Sequence, residues 1–176
     1  MRASERVVVD SALGLVGGAV GTVALRRLMN AANKLPPALR PEPVQDPGES
    51  LIKLGERVAS HELRHGAHGA AVKFSHYAYG ALWGGALGFT FANAPVRSGK
   101  HALSRGAALG AFVWVLADVG WLPAAGLASP VTRQRPGGLL TSLLSNVLYG
   151  IVAAVPIAAR AVWMPERRGL RALLRV

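Results

Sequence analysis

The sequence predicts an all-α integral membrane protein with four transmembrane helices, and three observations lead to this fold class. Apolar residues make up 51% of the chain, whereas charged residues make up only 16%. The charged residues are also clustered, so that they leave four long stretches almost free of charge. Each stretch approaches or exceeds the roughly 20 residues that a helix needs to cross a bilayer, where a helix satisfies its own backbone hydrogen bonds.

The four spans form a single membrane domain covering residues 1–176. The second and fourth spans lie in stretches of 23 and 24 residues without any charge. The first span contains Asp10 close to its start, and the third contains Asp118 near its middle. In chain order the predicted spans cover residues 7–29, 74–94, 106–127 and 139–160.

The segment 35–66 between the first two spans is predicted to lie outside the cytoplasm. Its first part is rich in proline, which cannot sustain a helix, and is therefore predicted to be an extended surface segment. Further along, Leu51, Leu54 and Val58 recur at helical spacing, and either Asp46 or Ser50 is suited to cap a helix that contains them. This spacing predicts a short amphipathic helix over about 51–65 that lies on the membrane or caps the bundle.

Glycines four residues apart recur in three of the predicted spans and indicate close helix packing. Such glycines fit packing within one chain and homo-oligomerisation equally well. Two hexapeptides, residues 75–80 and 145–150, share the pattern Ser-[His/Asn]-x-x-Tyr-Gly and suggest two repeated helical hairpins. The glycines predicted to pack are Gly14, Gly18, Gly21, Gly80, Gly84, Gly88, Gly106 and Gly110.

The net charge of +11 predicts contact with anionic lipid headgroups and not with nucleic acid. The basic residues flank the apolar stretches and do not form one continuous face, which is typical of membrane flanks. Ten Lys or Arg residues fall on each side of the four-span arrangement. The short basic turn after the second span and the basic C-terminal tail favour cytoplasmic termini in a bacterial inner membrane.

Three ionisable or strongly polar residues at membrane depth are candidates for a functional site: His76, Asp118 and Asn146. Placing an ionisable group at membrane depth costs free energy, so that such a group indicates a function. His76 and Asn146 occupy matching positions of the repeat, and Asp118 is predicted to approach that level from the third span. A cluster of this kind acts either as a proton or ion relay or as an interhelical hydrogen-bond clamp.

The segment His61-Glu62-Leu63-Arg64-His65 matches the pattern H-E-x-x-H, and His68 follows three residues later. On a helix, His61 and His65 share a face that can bind Zn²⁺, and Glu62 would then be the catalytic base of a membrane peptidase. Gly66 and Gly69 weaken such a helix, so that a solvated polar face is the competing interpretation. No other cofactor is expected, and the chain contains no cysteine.

Pro36-Pro37, Ser75 to Gly80, Ala111 to Pro123 and Ser145 to Arg160 together resemble an uncharacterised bacterial inner-membrane family typified by YagU. The resemblance covers about two thirds of the chain. It implies four spans, a His at the start of the second, a polar residue and then a proline late in the third, and a polar residue at the start of the fourth. The family has His where this chain has Asn146. The H-E-x-x-H segment is outside the resemblance, which implies no established activity.

The sequence therefore predicts a small multi-pass membrane protein that is not an enzyme and serves in membrane stress, transport or assembly. Two alternatives stay open. One is a Zn-dependent membrane peptidase that uses His61, Glu62 and His65. The other is a proton or ion relay through Asp118 and His76.

Overall fold

The computed structural model describes residues 3–41, 47–59, 65–94 and 98–163. Every regular element in these ranges is helical, so that the all-α prediction is confirmed. His61 and Glu62 lie outside the described residues, as does the basic tail. The described residues contain a 3₁₀ turn, Val131–Arg133, and five longer helices: α1 (Ala3–Ala32), α2 (Pro47–Ala59), α3 (His65–Asn93), α4 (Gly99–Ala124) and α5 (Pro136–Trp163).

Helix α4 ends three residues before the predicted limit of the third span at residue 127. Gly126 has a φ of +70°, in the left-handed region that favours glycine. The Gly126 amide donates to the carbonyl of Pro123, and the Leu127 amide donates to that of Leu122 at 2.9 Å. This pair of bonds is a Schellman motif, which closes the helix and directs the chain into the loop before α5.

Helix α3 begins at His65 and continues through Gly66 and Gly69, so that these glycines do not break it. The preceding helix α2 ends at Ala59 and begins four residues earlier than the predicted surface helix. Residues 60–64 between them lie outside the described residues. A single helix that carries the whole H-E-x-x-H segment is therefore not among the described elements.

In the part of the chain that the structure describes, three helices are long and apolar enough to cross a membrane: α1, α4 and α5. Helix α3 contains the predicted second span and is comparable in length, with 29 residues, but it is not one of the three. Four glycines and the polar residues His76, Tyr77 and Tyr79 lie in this part of α3 and lower its mean hydropathy.

The four long helices alternate in direction, and α1 and α5 form the central pair. Gly88, Gly84 and Gly80 of α3 lie in order beside residues 10, 14 and 18 of α1, so that α1 and α3 are antiparallel. Helix α5 packs along α1 and along α4, again antiparallel to both. Helices α3 and α4 lie at the outside of this arrangement and have few contacts with each other.

The glycines mark the closest approaches between helix backbones. A Cβ atom added to Gly14 would overlap the carbonyl oxygen of Gly84, and one added to Gly106 would overlap that of Gly150. Gly110 has the same relation to the backbone of Asn146. All of these contacts lie within one chain, so that these glycine faces are not available for contact with a second copy.

The bundle has two unlike ends. The first end contains the start of α1, the end of α3, the start of α4 and the end of α5. There, buried residues from three helices form one apolar cluster, against which Leu13 of α1 packs. At the second end the buried cluster is local to the last turns of α4 and the chain that follows it, around Leu122 and Leu127. The cluster at the first end consists of Leu87, Phe91, Ala102, Ala153, Ala154, Ile157 and Ala158.

Candidate functional site

Asp118 lies in a π-helical segment, Val115–Trp121, that interrupts α4 towards the second end. The amide of Leu122 reaches back five residues to the carbonyl of Ala117, as a π-helix requires. Gly120 within the segment and Pro123 just after it both weaken a regular α-helix. Single π turns inside α-helices occur frequently at functional sites, because the widened turn places a side chain where a regular helix would not.

A hydrogen-bonded chain connects Asp118 with two other side chains. The Ser142 hydroxyl, on the facing helix α5, donates to Oδ1 of Asp118 at 3.2 Å. The same hydroxyl accepts a hydrogen bond from the indole Nε1 of Trp114, also at 3.2 Å. Ser142 is buried, so that it joins the carboxylate and the indole inside the α4–α5 interface. The arrangement holds the carboxylate in place and leaves part of its acceptor capacity for a proton or a cation.

Asn146 lies one turn from this chain on α5, and its amide donates to the backbone carbonyl of Ser142 at 3.1 Å. His76 lies on α3, is half-buried, and has its ring in an edge contact with Tyr77, with 5.8 Å between ring centroids. The structure thus links Asp118 and Asn146 through Ser142 on α5. The predicted approach of His76 to Asp118 remains a prediction.

Ser142 and Trp114 are the participants that sequence reasoning missed. Serine and tryptophan are ordinary residues in an apolar helix, so that neither residue stands out in the sequence. The spacing offered one signal: Ser142 and Asn146 are four residues apart and therefore share a face of α5. The π-helical segment has no comparable signature in the sequence.

A second polar contact joins the first and last long helices at the first end. The guanidinium Nη1 of Arg160 donates to Oδ1 of Asp10, and their side chains are only 18% and 10% exposed. In the sequence, Asp10 lies near the start of the first predicted span, and Arg160 ends the charge-free stretch of the fourth. The two residues lie 150 positions apart in the chain, so that no local pattern indicates the pair.

Two further bonds hold the centre of the bundle. The Tyr149 hydroxyl of α5 donates to the carbonyl of Gly80 on α3 at 2.6 Å. Thr22 donates to the carbonyl of Gly18 on its own helix at 2.9 Å and lies against Gly80. Tyr149 and Gly80 both belong to the repeated hexapeptides, which therefore meet in this region.

The metal-binding hypothesis rests largely on residues outside the described ranges. Within those ranges no group of three or more His, Asp or Glu side chains is placed to hold a metal ion. His65 is the first residue of α3, and His68 lies one turn later. The Nδ1 atom of His68 is 2.9 Å from a carboxylate oxygen of Glu56 on α2, which engages one ring nitrogen. Zinc binding by His61 and His65 stays a prediction.

The outer surface of the long helices is apolar, while small residues fill the interior. Leu82, Phe112 and Leu144 are more than half exposed. Glycine, alanine and serine dominate the buried positions of α1, α4 and α5. Large apolar residues outside and small ones inside are the reverse of a water-soluble bundle and are typical of helices packed in lipid.

Comparison of the chain with protein-family models, with curated proteins and with solved structures found no match. The geometry of the polar groups and the character of the surface therefore provide the indications of function.

Proposed function

We propose that this protein is a four-span protein of the bacterial inner membrane with a transport-associated role, in which Asp118 binds a proton or a small cation. The observation that carries this proposal is the placement of Asp118. A carboxylate lies within a helix apolar enough to span a bilayer, in a π-helical turn, fixed by a hydrogen bond from a buried serine. Ionisable groups in such surroundings most often belong to ion or substrate pathways.

The contacts of α3 with α1 support its assignment as the fourth span. Gly80, Gly84 and Gly88 follow α1 over the levels of residues 10 to 18, with their backbones in close approach. Two antiparallel helices in such contact share the same depth, so that α3 crosses wherever α1 crosses. The glycines that contribute to the low hydropathy of α3 face α1, while Leu82 and Phe89 on its other side are exposed.

The hydrogen-bonded chain favours a relay over a purely structural clamp. A clamp requires only a donor and an acceptor on facing helices, and Trp114 with Ser142 already provides both. Adding a carboxylate at this position incurs a desolvation cost that packing alone does not require. His76 on α3 is the candidate partner for proton exchange, because an imidazole ring can both accept and donate a proton.

The test is ion flux in liposomes that contain the purified protein and a trapped pH-sensitive dye. We expect the wild-type protein to dissipate an imposed pH gradient, and Asp118→Asn to reduce the rate by about tenfold or more, since one ionisable group is removed without a change of shape. Glu5→Gln is the matched control, because it removes a carboxylate from the exposed start of α1.

The choice of ion gradient in the assay distinguishes binding of a proton from binding of a metal cation. Parallel assays with sodium or potassium gradients at constant pH show which ion Asp118 binds. If neither a proton nor a cation gradient decays faster than in protein-free liposomes, the relay is wrong and a structural role in membrane stress or assembly takes its place.

A further inference from the structure

Helix α2 turns its polar side towards the rest of the protein and its apolar side outwards. Ser50 is fully buried, and Glu56 has only 16% of its side chain exposed and forms an ion pair with His68 of α3. On the other side, Val58 is 80% exposed and Leu54 is 39% exposed. A helix on the surface of a water-soluble protein has the opposite orientation.

The inversion is clearest in the second half of α2, where Glu56 and Val58 differ most in exposure, whereas the side chains of Glu49 and Lys53 are 36% and 34% exposed. Glu49, Lys53 and Glu56 recur at intervals of four and three residues and share one face, on which Glu49 and Lys53 form an ion pair at 2.7 Å. Leu54 and Val58 are four residues apart and share the opposite face. We call Leu54 and Val58 the outer ridge of α2.

The position of α2 indicates what the outer ridge contacts. Helix α2 packs along α3, and the Glu56–His68 pair fixes it beside the first turns of that helix. Phe74, 75% exposed, follows less than two turns after His68, where the predicted second span begins. The outer ridge therefore lies next to the apolar surface that the long helices present. Arg57, exposed beside Val58, adds a positive charge suited to anionic headgroups.

We propose that α2 is an interfacial helix whose outer ridge inserts among the lipids at the headgroup and acyl boundary, with the Glu56–His68 pair holding it to α3. The inference rests on the proposed membrane location of the long helices. The occupant of the ridge is lipid of the same bilayer. An interfacial helix of this kind buries its apolar side about 5–10 Å below the headgroups.

The absence of cysteine from the chain allows a direct test with single-cysteine variants. Val58→Cys is labelled with a small fluorophore and reconstituted in liposomes of phosphatidylcholine and phosphatidylglycerol. We expect lipids with a nitroxide high on the acyl chain to quench the label by about half, and aqueous iodide to have little effect, because the ridge lies in the boundary region. Glu49→Cys, on the opposite face, is the matched control and should escape the lipid quencher.

A third variant separates this inference from the membrane location itself. Val16 lies in the middle of α1 and is 60% exposed. A fluorophore attached to Val16→Cys should be quenched by lipids that carry a nitroxide deep in the bilayer. If Val16→Cys is quenched by lipid while Val58→Cys is quenched by iodide, the ridge faces water and the interfacial role is wrong.

Protection of the Val58 label from both quenchers would also overturn the inference, since a protein surface would then cover the ridge. Protection that disappears on dilution with excess lipid would identify a second copy of the chain as that surface. If the Val16 label is not quenched by lipid, the membrane location fails, and the interfacial role of α2 fails with it.

Discussion

The two ends of the helical bundle are held together by different means. At the first end, buried apolar residues from three helices meet in one cluster, and the Asp10–Arg160 pair ties α1 to α5 beside it. Arg105 of α4 adds a contact over the ring of Phe91 on α3, 4.3 Å from its centroid, and donates to the carbonyl of Ala94 at 2.8 Å. At the second end, α4 loses its regular geometry, and its buried cluster is local.

This difference shows where the chain has room to change shape. Helices that share one core can move only together. The π-helical turn around Asp118 has few contacts with the other helices, so that it can change shape without disturbing them. A switch between π and α geometry would rotate Asp118 relative to Ser142 and leave the first end unchanged. We therefore expect the first end to determine stability and the second end to determine activity.

The largest effect on stability is expected from breaking the ion pair at the first end. Arg160→Ala leaves the Asp10 carboxylate buried without its main partner, which should lower the free energy of unfolding by about 3–5 kcal/mol. Equilibrium unfolding in mixed detergent micelles, followed by circular dichroism, measures this change. The double variant Asp10→Ala, Arg160→Ala should recover part of the loss. No recovery would mean that Arg160 acts mainly through contacts other than its bond to Asp10.

A smaller effect is expected from a methyl group added between α1 and α3. Gly84→Ala places a Cβ against the backbone of Gly14 and should cost about 1–3 kcal/mol, because two backbones must move apart. Gly120→Ala in the π-helical turn is the matched control. The nearest atom to its added Cβ is 3.4 Å away, so that the substitution should be neutral or stabilise by up to about 1 kcal/mol. Equal losses for both variants would contradict the contrast between the ends.

The smallest effect on stability is expected from removing the hydrogen bonds between Trp114, Ser142 and Asp118 at the second end. Ser142→Ala removes the hydroxyl between Trp114 and Asp118 and should lower the free energy of unfolding by about 0.6 kcal/mol, the average for interhelical hydrogen bonds in membranes. If the hydrogen bond from Ser142 positions Asp118 for function, ion flux in this variant should fall markedly although its stability changes little. Indole fluorescence of a variant retaining only Trp114 would report the loss of its hydrogen bond. A stability loss as large as that of Arg160→Ala would assign Ser142 to the structural framework instead.

Much of the helical content could be predicted from the sequence, but which side chains contact each other could not. The charge-free stretch before Arg160 lies within α5, residues 74–93 of the stretch after Lys73 lie within α3, and Asp118 and Asn146 lie on helices as expected. The role of Ser142 was missed, because a serine in an apolar helix carries no pattern of its own. The polar chain at Asp118 depends on the crossing of α4 and α5 and on a π-helical turn, neither of which leaves a periodic signal.

By itself, the sequence determined that this chain is helical and rich in apolar residues and where its glycines and rare charged groups fall, because these properties depend on composition and local spacing. Only the tertiary structure decided that Asp10 meets Arg160, that Ser142 joins Trp114 to Asp118, and that α2 turns its apolar ridge outwards. These outcomes depend on which helix faces overlap at which level. That choice comes from the packing of all the helices together, and no segment of the chain contains it alone.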